Sequence, residues 1–222
     1  MCGAFQQFPT LDMAEMLAAL NVQGTLENRG MCRPASKIQI VVGSENEGEH
    51  KIVDATWWLL LEKQSEKGLT WKPNQKYKTF NTRSEKLLES RLAKKPYLNT
   101  RCLIPAAGFM ESKSGTYHHI TNEKQSIAFG GLYKEYQLDD DEILYSASII
   151  TLPATTNFEF VHHRMPLMLD VENKNTTRQW LHKNHFPDEG FELGNNLHTP
   201  LLVTPSAKYG TVEPQGETLK VS

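Results

Sequence analysis

The feature that most constrains the fold is a series of short apolar segments rich in β-branched and aromatic residues. Such segments are typical of strands, and polar or glycine-containing connections separate them, as between strands of a sheet. We predict strands over residues 37–42, 52–61, 101–105, 117–120, 126–133, 143–152, 201–204 and 211–212, with a polar connection at 43–50 and a hairpin tip at Asp139-Asp140-Asp141.

Three segments have the pattern of helices. Thr10 can cap a helix over residues 11–20, whose apolar side chains recur on one face. Residues 82–85 fit a capping box, with leucines at helical spacing after it, so Asn81 is expected beside a helix N-terminus. A third short helix is predicted over residues 176–183, with Trp180 facing inward.

Many short strands with a few helices between them predict an α+β fold. We expect a curved, mostly antiparallel sheet or a barrel-like β-core with short flanking helices. The 222 residues could form one large domain or two small ones. Since no segment reads as a linker, we predict a single domain over residues 1–222.

Composition narrows the class of protein. No apolar run approaches the ~18 residues of a membrane span, and no basic stretch followed by an apolar one suggests a secretory leader. The three cysteines lack CxxC spacing, which argues against a disulfide framework or structural zinc and favours a reducing cytosol. We therefore expect a cytoplasmic protein without membrane contact.

Charge is unevenly distributed along the chain. Residues 63–101 contain eleven Lys or Arg and three Glu, a net charge of +8, although the whole chain is −2. Such a segment fits a groove for a polyanion. From the charges alone, a solvated lysine-rich helix and loop is the simpler explanation.

Cys2 carries the most specific chemistry. If Met1 is removed, Cys2 presents an α-amine and a thiol on adjacent carbons, a 1,2-aminothiol. The amine can condense with an aldehyde to an imine, and the thiol can then close a thiazolidine ring on the same carbon. An isolated Met-Cys start is weak evidence, so the interpretation needs partners elsewhere in the chain.

Three other patches offer such partners. Asn81-Thr82-Arg83 lies in the basic segment, Glu111 follows a glycine-containing turn, and His162-His163-Arg164 precedes Met165-Pro166. Each has a plain structural explanation as a turn, loop or core residue. Adjacent histidines in an extended segment point to opposite sides, so neither 162–163 nor 118–119 should chelate one ion. We expect no metal and no other cofactor.

Taken together, these motifs resemble a known family. Their order and spacing are similar to those of the SRAP family of SOS-response-associated peptidases, also described as abasic-site processing proteins. The resemblance covers nearly the whole chain and includes Met1-Cys2-Gly3, 81–85, 108–111, 162–166, 33–35, 57–58, 129–133 and 202–222.

The resemblance implies a β-rich α+β fold, binding of single-stranded DNA and a bacterial cytosol or nucleoid location. Cys2 would crosslink to the ring-opened aldehyde of an abasic site. Asn81 would orient the terminal residue or the deoxyribose, Arg83 would hold a phosphate, and Glu111 with His162 would be the acid–base pair. Family members are also viewed as autopeptidases that release their own Met1, so a hydrolase activity is the alternative.

An abasic nucleotide has no base to recognise, so its neighbours must be bound through phosphates and stacking. We expect cations near Cys2 to lower the thiol pKa. Because Trp57 and Trp58 should point to opposite faces, at most one of them can line the groove. The candidate DNA-binding residues are Arg83, Trp57, Trp58, Trp71, Phe109, Arg164 and Lys78.

The chain departs from the family pattern at several positions. The family usually has Arg at the position of Ala4. An aromatic residue commonly follows the catalytic Glu, where this chain has Ser112. Asp or Asn usually follows the first His of the His-x-Arg-Met-Pro motif, where this chain has His163. The glycine and proline that follow the first Trp are absent after Trp57. A third hypothesis is therefore a non-reactive module that binds single-stranded DNA. We expect a monomer that works with replication-fork proteins.

Overall fold

The computed structural model describes residues 2–44, 46, 48–64, 70–138, 142–184 and 199–222. The predicted hairpin tip at 139–141 lies outside them.

Three α-helices are found in this part of the chain, namely α1 (Leu11–Ala19), α2 (Lys94–Asn99) and α3 (Lys174–Leu181). Its strands are β1 (Ala4–Gln7), β2 (Val22–Gln23), β3 (Gly30–Cys32), β4 (Lys37–Gly43), β5 (His50–Thr56), β6 (Leu61–Gln64), β7 (Thr70–Pro73), β8 (Asn81–Arg83), β9 (Arg101–Ala106), β10 (Gly108–Lys113), β11 (Thr116–Thr121), β12 (Ile127–Gln137), β13 (Ile143–Pro153), β14 (Arg164–Pro166), β15 (Leu201–Ser206) and β16 (Leu219–Val221).

The larger sheet closes on itself. Its antiparallel order β13-β12-β9-β4-β5 returns to β13 through a parallel contact that pairs Tyr145 with Ala55 and Ser146 with Thr56. This makes a five-stranded ring, and β2, β8 and β14 extend it at its edges. The predicted α+β fold with a barrel-like, mostly antiparallel core is confirmed.

A second sheet carries the amino terminus. It is antiparallel throughout, with the order β16-β15-β11-β10-β1-β3. Phe5 and Phe109 lie opposite each other in this sheet, and both pack on Phe129 of the ring at 6.0 and 5.6 Å between ring centroids. The contact holds the start of the chain against the ring.

Gln7 fixes the same strand by polar contacts. Its buried amide donates to the carbonyl oxygens of Gln39 and Pro105 at 2.9 and 3.0 Å, and its carbonyl oxygen accepts from the Gln39 N–H at 2.7 Å. Buried polar groups that are satisfied in this way specify one packing arrangement. β1 is therefore held in one register against β4 and β9.

Helix α1 confirms the first helix prediction, because the Thr10 hydroxyl accepts a hydrogen bond from the Met13 N–H at 3.1 Å. The predicted helix after residue 82 is wrong. Residues 84–86 form a single 3-10 turn without a side-chain cap, and the Thr82 hydroxyl instead contacts that of Ser148 at 2.8 Å. Asn81 therefore lies in a strand and not beside a helix N-terminus.

Most of the strand predictions are confirmed within a few residues. The predicted strand 52–61 is too long, because β5 ends at Thr56 before Trp57 and Trp58. The predicted strand 211–212 is wrong, and β16 pairs with β15 in its place. None of the helices in the described part of the chain has the length and apolar character to cross a bilayer.

Candidate active site

Cys2 lies two residues before the first residue of β1 and is completely buried. Its thiol lies 3.7 Å from the Ala4 carbonyl oxygen. Its own carbonyl oxygen accepts a hydrogen bond from the Asn81 side-chain amide at 2.7 Å. Asn81 thus contacts the residue it was predicted to orient.

The position of Asn81 is fixed by backbone pairing. β8 runs parallel to β13, with Asn81 opposite Ile149 and Thr82 opposite Ile150. Its amide therefore projects from an edge of the ring towards the amino terminus of the other sheet. The Cys2 site lies where the two sheets meet.

Glu111 is the carboxylate of this site. It lies on β10, two residues beyond Phe109 and on the same face, and only 2% of it is exposed. Burial raises the pKa of its carboxyl group to about 7. At neutral pH Glu111 therefore exists in comparable protonated and ionised fractions, as a proton shuttle requires.

His118 belongs to the site although the sequence did not single it out. It lies directly opposite Glu111 in the β10–β11 ladder, and its side chain is buried. Directly opposed residues share a face of the sheet at about 5 Å between Cβ atoms. Burial lowers the pKa of His118, so its imidazole is neutral at pH 7.

The turn over residues 155–162 covers this face. Phe158 stacks on Phe109 at 6.3 Å between ring centroids, and Phe160 meets the His118 ring at 6.1 Å in a perpendicular arrangement. The Lys113 ammonium group donates to the Glu159 carbonyl oxygen. These contacts hold the turn, which ends at His162, against β10 and β11.

His162 is held as a neutral imidazole. Burial is the main cause that lowers its pKa to about 4, and the charge on Lys113 contributes in the same direction. Its Nδ1 atom accepts a hydrogen bond from the Arg164 N–H at 2.9 Å. Nδ1 also lies 3.1 Å from the Arg164 carbonyl oxygen, and the tautomer with its proton on Nε2 is the one that accepts from the N–H group.

The predicted opposite orientation of His162 and His163 is wrong. Their rings lie 4.1 Å apart between centroids, because both residues precede β14 and strand alternation does not apply. In the described part of the chain, no group of three or more His, Cys, Asp or Glu side chains is arranged to bind a metal ion.

The environment of the Cys2 thiol differs from our expectation. Burial, and then the charge on Glu111, raise the pKa of Cys2 well above its ordinary value. The expected lowering by cations is therefore wrong, and the thiol is protonated at neutral pH. The same electrostatic coupling places Cys2 and Glu111 in one site.

Tyr209 and Arg33 are further members of the site, and they lie in segments of the family resemblance to which the sequence analysis gave no role. The Gly3 N–H is directed at the Tyr209 phenolic oxygen. Burial raises the pKa of Tyr209, and the charges on Cys2 and Glu111 add to the effect. The Arg33 guanidinium lies close to Gly210. Their segments belong to the resemblance, but their proximity to Cys2 depends on the fold.

Several candidate DNA-binding residues do not face solvent. Trp57, Trp58 and Phe109 are buried, and the indole N–H groups of the two tryptophans donate to the carbonyl oxygens of Phe80 and Asn74. The stacking role predicted for them is therefore wrong. Trp71 is partly buried and packs on Tyr136 at 4.6 Å between ring centroids.

The candidate cations also separate into two groups. Arg164 is buried, and its guanidinium binds both carboxylate oxygens of Glu85 at 2.6 and 2.9 Å, so its predicted contact with DNA is wrong. Arg101 of the basic segment is likewise buried against main-chain carbonyl oxygens. Arg83 and Lys78 are exposed.

Fold and site together define an α+β protein with a cysteine at position 2 and a buried carboxylate beside it. The chain belongs to the SRAP family (SOS response associated peptidase), whose sequence model matches residues 1–204. The resemblance seen in the sequence is confirmed.

Individual relatives agree with this assignment. The abasic site processing protein YoqW of Bacillus subtilis (strain 168) is 30% identical over 200 residues, or 85% of this chain and 84% of that protein. YobE of the same organism, also named an abasic site processing protein, is 30% identical over 91% of this chain and 99% of its own length. A crystal structure of a Bordetella bronchiseptica protein has the same fold, with a TM-score of 0.63 at 17% identity over 92% of this chain and 99% of that one.

Proposed function

We propose that this protein processes abasic sites in single-stranded DNA by forming a covalent bond at Cys2. The observation that carries the proposal is the contact of Asn81 with the Cys2 carbonyl oxygen at 2.7 Å, beside a buried carboxyl group of pKa about 7. The names of the relatives, which are abasic site processing proteins, support the same substrate.

The reaction begins after Met1 has been removed. The free amine of Cys2 attacks the C1′ aldehyde of the ring-opened deoxyribose and gives a carbinolamine. Loss of water gives an imine. The thiol sulfur then adds to the imine carbon while its proton passes to the nitrogen, which closes a thiazolidine ring.

Glu111 is suited to the proton transfers in these steps. In its protonated form it can donate to the sugar ring oxygen as the ring opens and to the departing hydroxyl as water leaves. In its ionised form it can accept the proton that the amine or the thiol releases. A carboxyl group whose pKa is close to the working pH performs both tasks.

His162 is proposed as the neutral partner. In the tautomer whose Nδ1 accepts from the Arg164 N–H, Nε2 carries the proton that His162 would direct to a sugar oxygen. A pKa of about 4 keeps the ring neutral across the physiological range. His162 therefore orients substrate oxygens, and Glu111 carries the proton.

The DNA strand is proposed to be held by exposed cations around Cys2. Arg83 lies two residues after Asn81 on β8 and is exposed. Lys78 lies three residues before Asn81 and is also exposed. Continuing the pairing of Phe5 with Cys32 by one step places Arg33 opposite Ala4. Arg33 would then supply a positive charge beside Ala4, which has none.

A crosslinking assay tests this function. The protein, with Met1 removed, is incubated with a single-stranded uracil-containing oligonucleotide pretreated with uracil glycosylase. We expect a protein–DNA band that survives denaturation and is absent for Cys2→Ala, whereas Cys32→Ala crosslinks normally. A band of equal intensity with Cys2→Ala would falsify the mechanism. Salt-sensitive binding without any covalent band would instead identify a non-reactive DNA-binding module.

A second candidate function is release of Met1 by the protein itself. It is favoured by the proximity of Glu111 to Cys2, because a carboxylate next to a thiol could activate it against the preceding peptide bond. Intact mass of protein made in a host without methionine aminopeptidase activity tests it. Loss of Met1 in the wild type but not in Glu111→Gln supports the activity, and retention in both excludes it.

A further inference from the structure

Phe160 is an exposed aromatic ring on an anchored turn. Its neighbours Phe158 and Val161 are fully buried, whereas 44% of Phe160 is exposed. The turn is closed by hydrogen bonds from the N–H groups of Phe158 and Glu159 to the Thr155 carbonyl oxygen at 2.9 and 3.1 Å. Phe160 is thus presented outward by a rigid segment.

The position of the ring links it to the candidate site. One side of Phe160 meets the His118 imidazole in a perpendicular contact at 6.1 Å, and His118 lies opposite Glu111 in the ladder. Lys113 contacts the main chain at Glu159, the residue just before Phe160. The ring therefore lies at the mouth of the Glu111 site with an ammonium group beside it.

Few other rings in the described residues could stack on a base. Trp57, Trp58 and Phe109 are buried in the core. Tyr77 is exposed, but the Lys76 ammonium group lies over its ring at 5.7 Å from the centroid. Phe160 combines an exposed ring with proximity to Glu111.

We propose that Phe160 is the stacking surface for the nucleobase next to the abasic residue, with Lys113 beside it for a backbone phosphate. The inference rests on the proposed function and names the contact that replaces the missing base. Stacking tolerates any sequence because every base has a π-face. Phe160 should therefore contribute affinity without strong base preference, and purines should bind somewhat better because their surface is larger.

The test compares two single-stranded oligonucleotides. Both contain one abasic residue, flanked either by adenines or by tetrahydrofuran spacers that carry no base. Equilibrium binding is measured in a Cys2→Ala background so that no covalent bond forms. Phe160→Ala should weaken binding to the adenine-flanked strand by roughly 5- to 150-fold, and binding to the spacer-flanked strand by less than about twofold.

The chain offers a matched control. Ile143 is 45% exposed, close to the value for Phe160, and lies at the other end of β13 from the turn. Ile143→Ala should leave binding to both strands unchanged. Phe160→Trp should retain the preference for the adenine-flanked strand, and Phe160→Leu, which keeps apolar packing, should lose it.

Equal loss of affinity for both oligonucleotides, or no loss for either, overturns the proposal, since stacking requires a base. Failure of the proposed function has a different signature. If the wild-type protein forms a Cys2-dependent crosslink and Phe160→Ala shows no base-dependent defect, only the stacking inference fails. If no crosslink forms, the function fails, and the two binding constants still decide the role of Phe160.

Discussion

The side-chain amide of Asn81 donates a hydrogen bond to the carbonyl oxygen of Cys2 across 2.7 Å, and 79 positions separate the two residues. The bond joins an edge strand of the ring to the first residues of the second sheet. It therefore fixes the backbone of the proposed nucleophile relative to Glu111.

Replacing Asn81 with Ala should slow crosslinking about fivefold, because a hydrogen bond of this kind contributes about 1 kcal/mol and its loss lets Cys2 move. The rate is measured with excess abasic oligonucleotide so that only the covalent step is followed. Asn99→Ala is the control, since the Asn99 amide also donates to a main-chain carbonyl oxygen, that of Lys95 at 3.0 Å, in an exposed position. Equal rates for the two variants would contradict the role of Asn81.

The rate of crosslinking should depend on pH through Glu111. Its pKa of about 7 predicts an inflection near that pH, and Glu111→Gln should be slow and lack the inflection. His162→Ala should be slower than the wild type but keep the inflection, because the pKa of His162 is about 4. An inflection near 7 that disappears with His162→Ala and persists with Glu111→Gln would reverse the two assignments.

Stability should depend on pH for the same reason. The folded pKa of Glu111, about 7, exceeds the ordinary value of 4.5 for this side chain, so ionisation favours the unfolded state. The protonated carboxyl group of Glu111 therefore contributes its full stability below about pH 4.5. This contribution is lost as the pH rises through 7. The difference between the two pKa values corresponds to at most about 3 kcal/mol in the free energy of unfolding. Urea unfolding should show Glu111→Gln to be more stable than the wild type near pH 8 and similar near pH 5.

A surface carboxylate provides the control for that experiment. Glu123 pairs with Lys220 at 2.8 Å, and both side chains are largely exposed. Glu123→Gln should therefore leave the stability difference between the two pH values as in the wild type. If Glu111→Gln has the same pH dependence as the wild type, Glu111 does not ionise with the pKa given above.

The pair of Arg164 and Glu85 should be structural. Glu85→Gln leaves the buried guanidinium with a weaker partner. It should lower the free energy of unfolding by about 1–2 kcal/mol. This is the low end for charged hydrogen bonds, because the Glu85 side chain is half exposed. The Arg164 contact lowers the pKa of Glu85 to about 2, so this stability is lost only as pH falls below about 4.5.

Lys86→Gln removes a neighbouring but exposed ion pair and should leave stability unchanged. Denaturant unfolding at neutral pH measures both variants. The affinity for undamaged single-stranded DNA should be unaffected by Glu85→Gln, since Arg164 does not face solvent. A large change in affinity with unchanged stability would restore Arg164 as a DNA contact.

Local patterns predicted local structure well. The Thr10 cap and the spacing of Met13 and Met16 identify α1 because every contact that defines its start lies within one turn. The pattern at residues 82–85 misled for the opposite reason. The Glu85 carboxylate binds Arg164, 79 positions away. It is therefore engaged in that ion pair and not in the contact that a capping box requires.

The site was only partly predictable. Asn81, Glu111 and His162 stand out because they belong to motifs. His118 becomes visible only when the β10–β11 register places it opposite Glu111, and Tyr209 only when the end of the chain folds back to Gly3. A sequence shows neither relationship, because each depends on pairing between segments. The same holds for the burial of Trp57, which the Phe80 carbonyl oxygen stabilises.

The position of β1 has a mechanical consequence. The strand has β10 on one edge and β3 on the other, and only Cys2 and Gly3 precede it in the described chain. If the proposed crosslink forms at Cys2, a pull along the axis of β1 would act on a strand that is bonded on both sides. Lengthwise load is shared by both ladders at once instead of opening them one bond at a time. Under the proposed crosslink, a force on the attached DNA would act on an anchored strand and not on a loose tail.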